Sequence, residues 1–258
     1  MNRFFSLFCL LALLSQSTYS AAPKRDFYEI RIYHLSGKAQ EERVERYLKN
    51  AYLPALHRAG IKEVGVFKPV ETDTAAGKRI YVYTPLRSLD QVPKLLQQLE
   101  KDKQYLADGQ EYLEAAWNNP PYQRIETILL EAFDKMPRYR KPTLDSPRSQ
   151  QIYELRSYEG ATEKLYNKKV EMFNTGGEIA IFESLGFNAV FYGKALSGRT
   201  MPNLMYLTTF TDKASRDAHW KSFSSDPAWK ALSGKSEYDH TVSKNNTYFL
   251  RPTEYSDI

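Results

Sequence analysis

The sequence predicts an α+β protein: two fused ferredoxin-like units that close on each other as an intramolecular dimeric α+β barrel. Three observations carry that prediction. A strand motif occurs twice, Tyr28-Glu29-Ile30-Arg31-Ile32-Tyr33 returning as Tyr153-Glu154-Leu155-Arg156-Ser157-Tyr158. The echo stays in register, since Tyr28 and Tyr153 lie 125 residues apart and Asp102 and Asp226, which open similar helical stretches, lie 124 apart. That period is too long for a solenoid repeat and close to the size of one small domain. Each copy also reads β-α-β-β-α-β, a sheet with one face left bare by its helices, and two such sheets in one chain cover each other.

In the first copy (26–136), residues 27–34 alternate with a period of two. Tyr28, Ile30 and Ile32 fall on one face and Glu29, Arg31 and Tyr33 on the other, as in a strand with two different surroundings. Residues 39–52 set Val44, Tyr47, Leu48 and Ala51 at helical spacing, Pro54 interrupts, and Gly60 stops the short turn that follows. Strands follow at 63–69 and 79–85. A helix from Leu89, capped by Ser88, carries Leu89, Val92, Leu95, Leu96 and Leu99 as its apolar stripe. A further helical piece covers 103–117, and 124–132 is the last strand.

The second copy (150–258) repeats this order. It has a strand at 151–158, a helix with Tyr166, Val170 and Phe173, strands at 189–193 and 203–210, and a helix with Trp220 and Phe223. Asp226-Pro227 caps and starts another turn with Trp229, and 247–251 is the final strand. Residues 137–149, with three prolines, form the linker.

Residues 1–20 predict a secretory signal peptide. Asn2-Arg3 precedes an apolar run of about eleven residues, and a polar stretch ends in small residues. The run is shorter than the roughly twenty residues that span a bilayer, and no later stretch approaches that length, so no membrane span is expected once the signal is removed. The expected location is periplasmic or extracellular. Cys9 is the single cysteine, so the mature chain would rely on its cores without disulfides, and thiol chemistry, thiolate metal sites and Fe–S clusters are excluded. The net charge of +5 is spread over both halves. Basic runs such as 138–141 are short and flanked by proline, so no nucleic-acid partner is expected.

The faces carrying Glu29, Arg31 and Tyr33, and Glu154, Arg156 and Tyr158, are the candidates for the barrel lining. Ions there must be paired. In a structural role they close the barrel and fix its register. In a functional role Arg31 and Arg156 grip an acidic group bidentately, with Tyr33 and Tyr158 supplying hydroxyls or stacking surface. His34 and His57 are expected to meet near one end of the first unit. Neither has a counterpart in the second copy, where Glu159 follows Tyr158, which makes the first half the expected working cavity. The four histidines, His34, His57, His219 and His240, lack metal-ligand spacing, so neither a metal nor a cofactor is expected. Nineteen tyrosines and thirteen phenylalanines supply strand formers and core fillers. Tyr81, Tyr83, Phe191, Tyr192, Tyr206 and Phe249 are positioned either to pack a core or to line an aromatic cavity. No glycine phosphate loop and no Gly-x-Ser-x-Gly elbow is present.

The strand 153–158, its variant at 28–33, and Asp226-Pro227-Ala228-Trp229 resemble the NIPSNAP family over essentially the whole mature chain as two copies. Residues 52–61, Tyr-Leu-Pro-Ala-Leu-His-Arg-Ala-Gly-Ile, resemble its exported bacterial branch. The resemblance implies the dimeric α+β barrel and an association with trafficking and scaffold roles, but no agreed catalytic residue set. The expected function is binding of a small, partly apolar or acidic ligand in the barrel cavity, or of a protein partner. The alternative, by analogy of fold, is a cofactor-independent oxygenase, isomerase or haem-processing enzyme.

Overall fold

A computed structural model describes residues 24–258; the predicted signal peptide lies outside the described residues. Eight antiparallel strands form one closed barrel: β1 (Phe27–His34), β2 (Gly65–Pro69), β3 (Arg79–Leu86), β4 (Arg124–Ala132), β5 (Ile152–Glu159), β6 (Asn188–Ser197), β7 (Asn203–Phe210) and β8 (Lys244–Pro252). Around the ring they run β1-β3-β2-β8-β5-β7-β6-β4, and β4 returns to β1. Each unit contributes four neighbouring strands, in the predicted β-α-β-β-α-β order. The units join at two seams, β2 with β8 and β4 with β6, so each sheet uses the other to satisfy its edges.

Helices coat the outside. Over the first sheet lie α1 (Lys38–Tyr47), α2 (Leu53–Arg58), α3 (Gln91–Lys101), α4 (Lys103–Asp108) and α5 (Gln110–Leu113). Over the second lie α6 (Glu163–Phe173), α7 (Glu178–Ser184), α8 (Lys213–Ser225) and α9 (Pro227–Ser233). Pro54 does not break the first helical run. A π-helical segment, Leu48–Tyr52, absorbs the missing N–H, and helical dihedrals continue into α2. Gly60 stops that run at φ +90° as expected. α3 starts later than its apolar stripe suggests. Asp90 precedes it without a side-chain cap, Ser88 accepts from Gln91 N–H only through its carbonyl, and Leu89 and Leu96 are exposed. Asp226 does cap α9, accepting from the Trp229 N–H at 3.0 Å.

The barrel interior reverses one expectation. Tyr28 and Ile30, not Glu29, Arg31 and Tyr33, face inward. They pack with Phe67, Tyr81, Tyr83, Leu155, Phe191, Leu207 and Leu250 into a core whose central void is only about 10 Å³. Tyr83 stacks on Phe191 at 5.3 Å, and Tyr28 lies 4.8 Å from the same ring. Glu29, Arg31, Tyr33, Glu154, Arg156 and Tyr158 therefore point outward, into the layer between sheet and helices. The reason is physical: the enclosed interior excludes water and takes the apolar face, while the helix-covered face reaches solvent at helix edges, where ions can be paired. Of the six aromatic positions singled out from the sequence, Tyr81, Tyr83 and Phe191 fill the interior, and Tyr192, Tyr206 and Phe249 pack under the second helical layer.

One end of the barrel is plugged. Tyr139 and Leu144 of the linker pack on the interior core, as does the C-terminal Ile258. Gly65 is required there, because a Cβ would meet the Phe67 ring at 2.5 Å and Ile258 at 3.2 Å. Asp26, fully buried, ties the plug to the sheet. It accepts hydrogen bonds from Arg87, Arg138 and the Tyr139 N–H, and its own N–H donates to the Pro137 carbonyl at 2.7 Å.

Because the interior is filled, its aromatics carry packing energy that no ligand supplies. Phe191→Ala is expected to destabilise the protein by about 3–5 kcal/mol, read as a lowered denaturant midpoint at neutral pH with little change in slope.

Candidate functional site

The repeated strand motif meets two different environments. In the second unit, β5 places Glu154, Arg156 and Tyr158 beneath α6, α7, α8 and α9. Glu154 is fully buried and accepts four hydrogen bonds, from Arg156 Nε (2.6 Å), Arg216 Nε (2.6 Å), Arg216 Nη2 (2.9 Å) and Trp220 Nε1 (2.9 Å). The bidentate Arg216 fork supplies the strongest geometry of the set. Arg156 lies over the Trp220 indole, 3.7 Å from its centroid, and donates from Nη1 to the Tyr158 hydroxyl at 3.1 Å. Tyr158 in turn shares a 2.8 Å hydrogen bond with Tyr206. Arg156 Nη2 has no protein acceptor among the described residues.

Beside this chain, Lys169 on α6 donates to Glu178 on α7 at 2.7 Å, both buried. Lys169 Nζ also lies 4.9 Å from the Phe173 ring centroid and 5.5 Å from that of Trp229. Burial pushes the Glu178 carboxyl above the ordinary carboxylate range, and the Lys169 cation only partly opposes it. These groups line a cleft of about 500 Å³ between sheet and helices, walled by Trp220, Phe223 and Trp229 and rimmed by the exposed Ser224 and Asn245. Its lining carries three cations, Arg156, Lys169 and Arg216, and one carboxylate, Glu178, with Glu154 behind it holding both arginines.

The first unit seals the same position. Arg31 pairs with Glu29 at 2.9 Å and lies 5.3 Å from the Tyr52 ring centroid. Tyr33 is fully buried against Tyr112 and Tyr122. Tyr47 stacks on Tyr112 at 3.6 Å and hydrogen-bonds Tyr105 at 2.8 Å. No charged residue of α1–α5 is buried, and α3, in the place of α8, turns Leu95 and Leu99 inward. The sheet–helix layer is therefore closed in the first half, where the working cavity was expected, and the open, polar cleft between sheet and helices belongs to the second half.

His34 and His57 do not meet. His34 ends β1 in register with Arg79, at the unplugged end of the barrel, 3.4 Å from Glu126. His57 bonds Asp257 at 2.7 Å, and Asp257 also accepts from the Val64 N–H, just before the other end of β2. Among the described residues no group of three or more His, Cys, Asp or Glu comes together to hold a metal, and no helix is long and apolar enough to cross a membrane.

Sequence reasoning found Glu154, Arg156 and Tyr158 through the repeat but missed Lys169, Glu178, Arg216, Trp220 and Trp229 as site residues. One signal was available, since charged or indole residues in the second copy's helices stand where the first copy's helices bury leucine and tyrosine.

A closed barrel of two ferredoxin-like sheets, with one sheet–helix cleft left open, defines the class: a dimeric α+β barrel folded within one chain. Residues 153–257, the second unit, match the sequence profile of the NIPSNAP family. No curated protein matches the chain by sequence. Among solved structures it is similar to a protein from Lactobacillus acidophilus provisionally assigned as a monooxygenase, with TM-score 0.56 and 12% identity over 88% of this chain and 94% of that one. A protein of the same provisional assignment from Fusobacterium nucleatum gives TM-score 0.58 and 7% identity over 89% and 93%. A NIPSNAP family protein from Agrobacterium tumefaciens gives TM-score 0.36 and 20% identity over 41% and 96%. The first two likenesses describe the fold.

Removing the strand arginines should separate the two environments. Arg31→Ala leaves Glu29 without its cation and is expected to cost about 3–5 kcal/mol. Arg156→Ala leaves Glu154 with three donors and is expected to cost clearly less, both read from denaturant unfolding. A second expectation concerns pH. Burial, reinforced by Arg79 and Arg199 and opposed by Glu126, lowers the His34 pKa below 6.5; Arg124 faces it across β1–β4. Between the folded value and 6.5 the unfolded chain then binds more protons, so stability rises with pH in that window and falls as His34 protonates. His34→Gln should flatten this slope in urea midpoints measured from pH 7.5 down to pH 5.

Proposed function

We propose that the protein binds a small, partly apolar organic acid in the sheet–helix cleft of its second unit, and that it does so outside the cytoplasm, as residues 1–20 predict. The observation that carries this reading is the cleft itself, about 500 Å³ with three cations and one carboxylate in its lining. Arg156 offers Nη2 to a ligand carboxylate while Glu154 and Tyr158 fix its plane, and a preorganised guanidinium loses little entropy on capture. Trp220, Trp229 and Phe223 supply the apolar wall expected of a ligand site. The packed interior, with a void of only about 10 Å³, favours the cleft over the deep barrel as the ligand's place.

A catalytic version uses the same cleft. Glu178, its carboxyl raised by burial, and the Tyr206–Tyr158–Arg156 hydrogen-bond chain put proton-handling groups beside the bound acid. Two full-length fold neighbours are provisionally assigned as monooxygenases, and cofactor-independent oxygenation or isomerisation is the corresponding second reading. The haem-processing branch fits less well: no histidine lines the cleft, and its one tyrosine, Tyr158, is committed to Arg156 and Tyr206.

Quenching of tryptophan fluorescence by benzoate, with neutral benzamide as the control, tests the reading, because Trp220 and Trp229 both line the cleft. Benzoate is expected to bind more tightly than benzamide. Arg156→Gln should weaken it about tenfold or more, and Asn245→Trp should block it from the rim. Equal binding of the two probes, or benzoate binding that survives both substitutions, would overturn it.

A further inference from the structure

The unplugged end of the barrel holds a second basin, of about 530 Å³, built by strands of both units. Its rim shows how far the duplicated halves have diverged. His34 faces Arg124 across β1–β4 as Glu159 faces Lys244 across β5–β8, which makes His34 the counterpart of Glu159 and Glu126 the counterpart of Asn246. The carboxylates of this rim are already occupied. Glu126 lies 3.4 Å from His34, Glu159 accepts from Asn246 at 2.8 Å with Lys244 at 3.9 Å, and Asp73 accepts from the Ala75 N–H at 2.7 Å. Two guanidiniums are not. Arg79, at the start of β3, and Arg199, in the β6–β7 connection across the ring, have no carboxylate partner among the described residues; Arg79 gives one N–H to the Lys78 carbonyl at 2.6 Å. Both bear on His34, whose proton affinity they depress.

The wall beneath the rim is polar where the rest of the interior is apolar. Ser157, 4% exposed, donates to Asn203 at 3.1 Å, and Asn203, 3% exposed, donates to Thr200 at 3.2 Å. Below them Ile32, Ile128, Met205 and Leu250 form the floor. Polar groups buried in an interior wall need partners, and here they form a ladder of amide and hydroxyl groups facing an open basin.

We propose that this mouth is a separate binding site for a small hydroxylated carboxylate, its carboxylate between Arg79 and Arg199 and its hydroxyls on the Ser157–Asn203–Thr200 wall. Guanidiniums without a carboxylate partner recognise a ligand carboxylate with charge-assisted hydrogen bonds, and a wall of mixed donors and acceptors matches hydroxyls, which both give and accept. A simple carboxylate lacks the second half of this recognition and a neutral sugar the first.

Isothermal titration of the full chain with glucuronate, glucose and acetate tests the proposal. Glucuronate is expected to bind one per chain and more tightly than either control. Arg199→Ala, in an exposed connection, should weaken it about tenfold, with Arg79→Ala acting in the same direction. Ser224→Trp, which obstructs the sheet–helix cleft from α8 and lies outside the mouth, should leave it unchanged. Glucuronate binding that is undetectable at millimolar concentration, equalled by glucose or acetate, or indifferent to both arginine substitutions would overturn the proposal. Loss of glucuronate binding in Ser224→Trp alone would assign the acid to the cleft, sinking the mouth site while sparing the cleft reading.

Discussion

The pairing of β2 with β8 and of β4 with β6 is the constraint from which the other features follow. A four-stranded ferredoxin-like sheet alone has two raw edges and one uncovered face. Here each edge is satisfied by the other unit, through ladders such as Phe67 with Pro252 and Glu131 with Lys194. Closure turns the two uncovered faces into a sealed interior, and a sealed interior admits no unpaired ion. Tyr28 and Ile30 therefore go in, and Glu29 and Arg31 go out. The same closure leaves two ends to manage. The linker and Ile258 stop one end with Asp26 as the clasp, and only the other end opens to solvent.

With the interior filled, ligand-sized space is left where helices fail to seal a sheet. In the first unit they succeed: Tyr47, Tyr52, Tyr105 and Tyr112 close over Arg31, and the Glu29–Arg31 pair becomes a covered structural contact. In the second unit, α6, α7 and α8 carry Lys169, Glu178 and Arg216 into the same layer. Glu154 holds Arg156 and Arg216 and Glu178 holds Lys169, and ions so paired are costly to bury more deeply against a sheet; the layer keeps a polar cleft of about 500 Å³. Duplication within one chain makes this division possible, because each half is free to change without changing its twin. One half supplies a rigid body and the other the cleft.

Glu154 shows how the cleft is held in shape. Its carboxylate receives a cation from its own strand, a bidentate cation from α8 and the Trp220 indole N–H, which locks α8 onto β5 and orients the Arg156 plane. Arg156 is thereby fixed by Glu154, the Tyr158 hydroxyl and the Trp220 face, and keeps Nη2 without a protein acceptor among the described residues. Preorganisation of this kind is what distinguishes a binding guanidinium from a merely buried one.

Much of this architecture was legible in the chain. The repeated Tyr-Glu-x-Arg-x-Tyr motif, the matched spacing and the alternation over 27–34 specified two β-α-β-β-α-β units and their mutual closure, because backbone periodicity and the need to cover an apolar sheet face are local and compositional facts. Alternation says that residues 28, 30 and 32 share a face but not which side that face looks toward, and in a barrel coated by helices both sides are covered. Only tertiary structure decided that the tyrosine and isoleucine face goes inward, that His34 and His57 end at opposite ends of β2 and β3, and that the second cleft, not the first, stays open. Each of these depends on residues far apart in sequence meeting across the sheet–helix layer, as Glu154 meets Arg216 and Lys169 meets Trp229. Their sum of volume and charge, which no single segment carries, determines whether that layer closes.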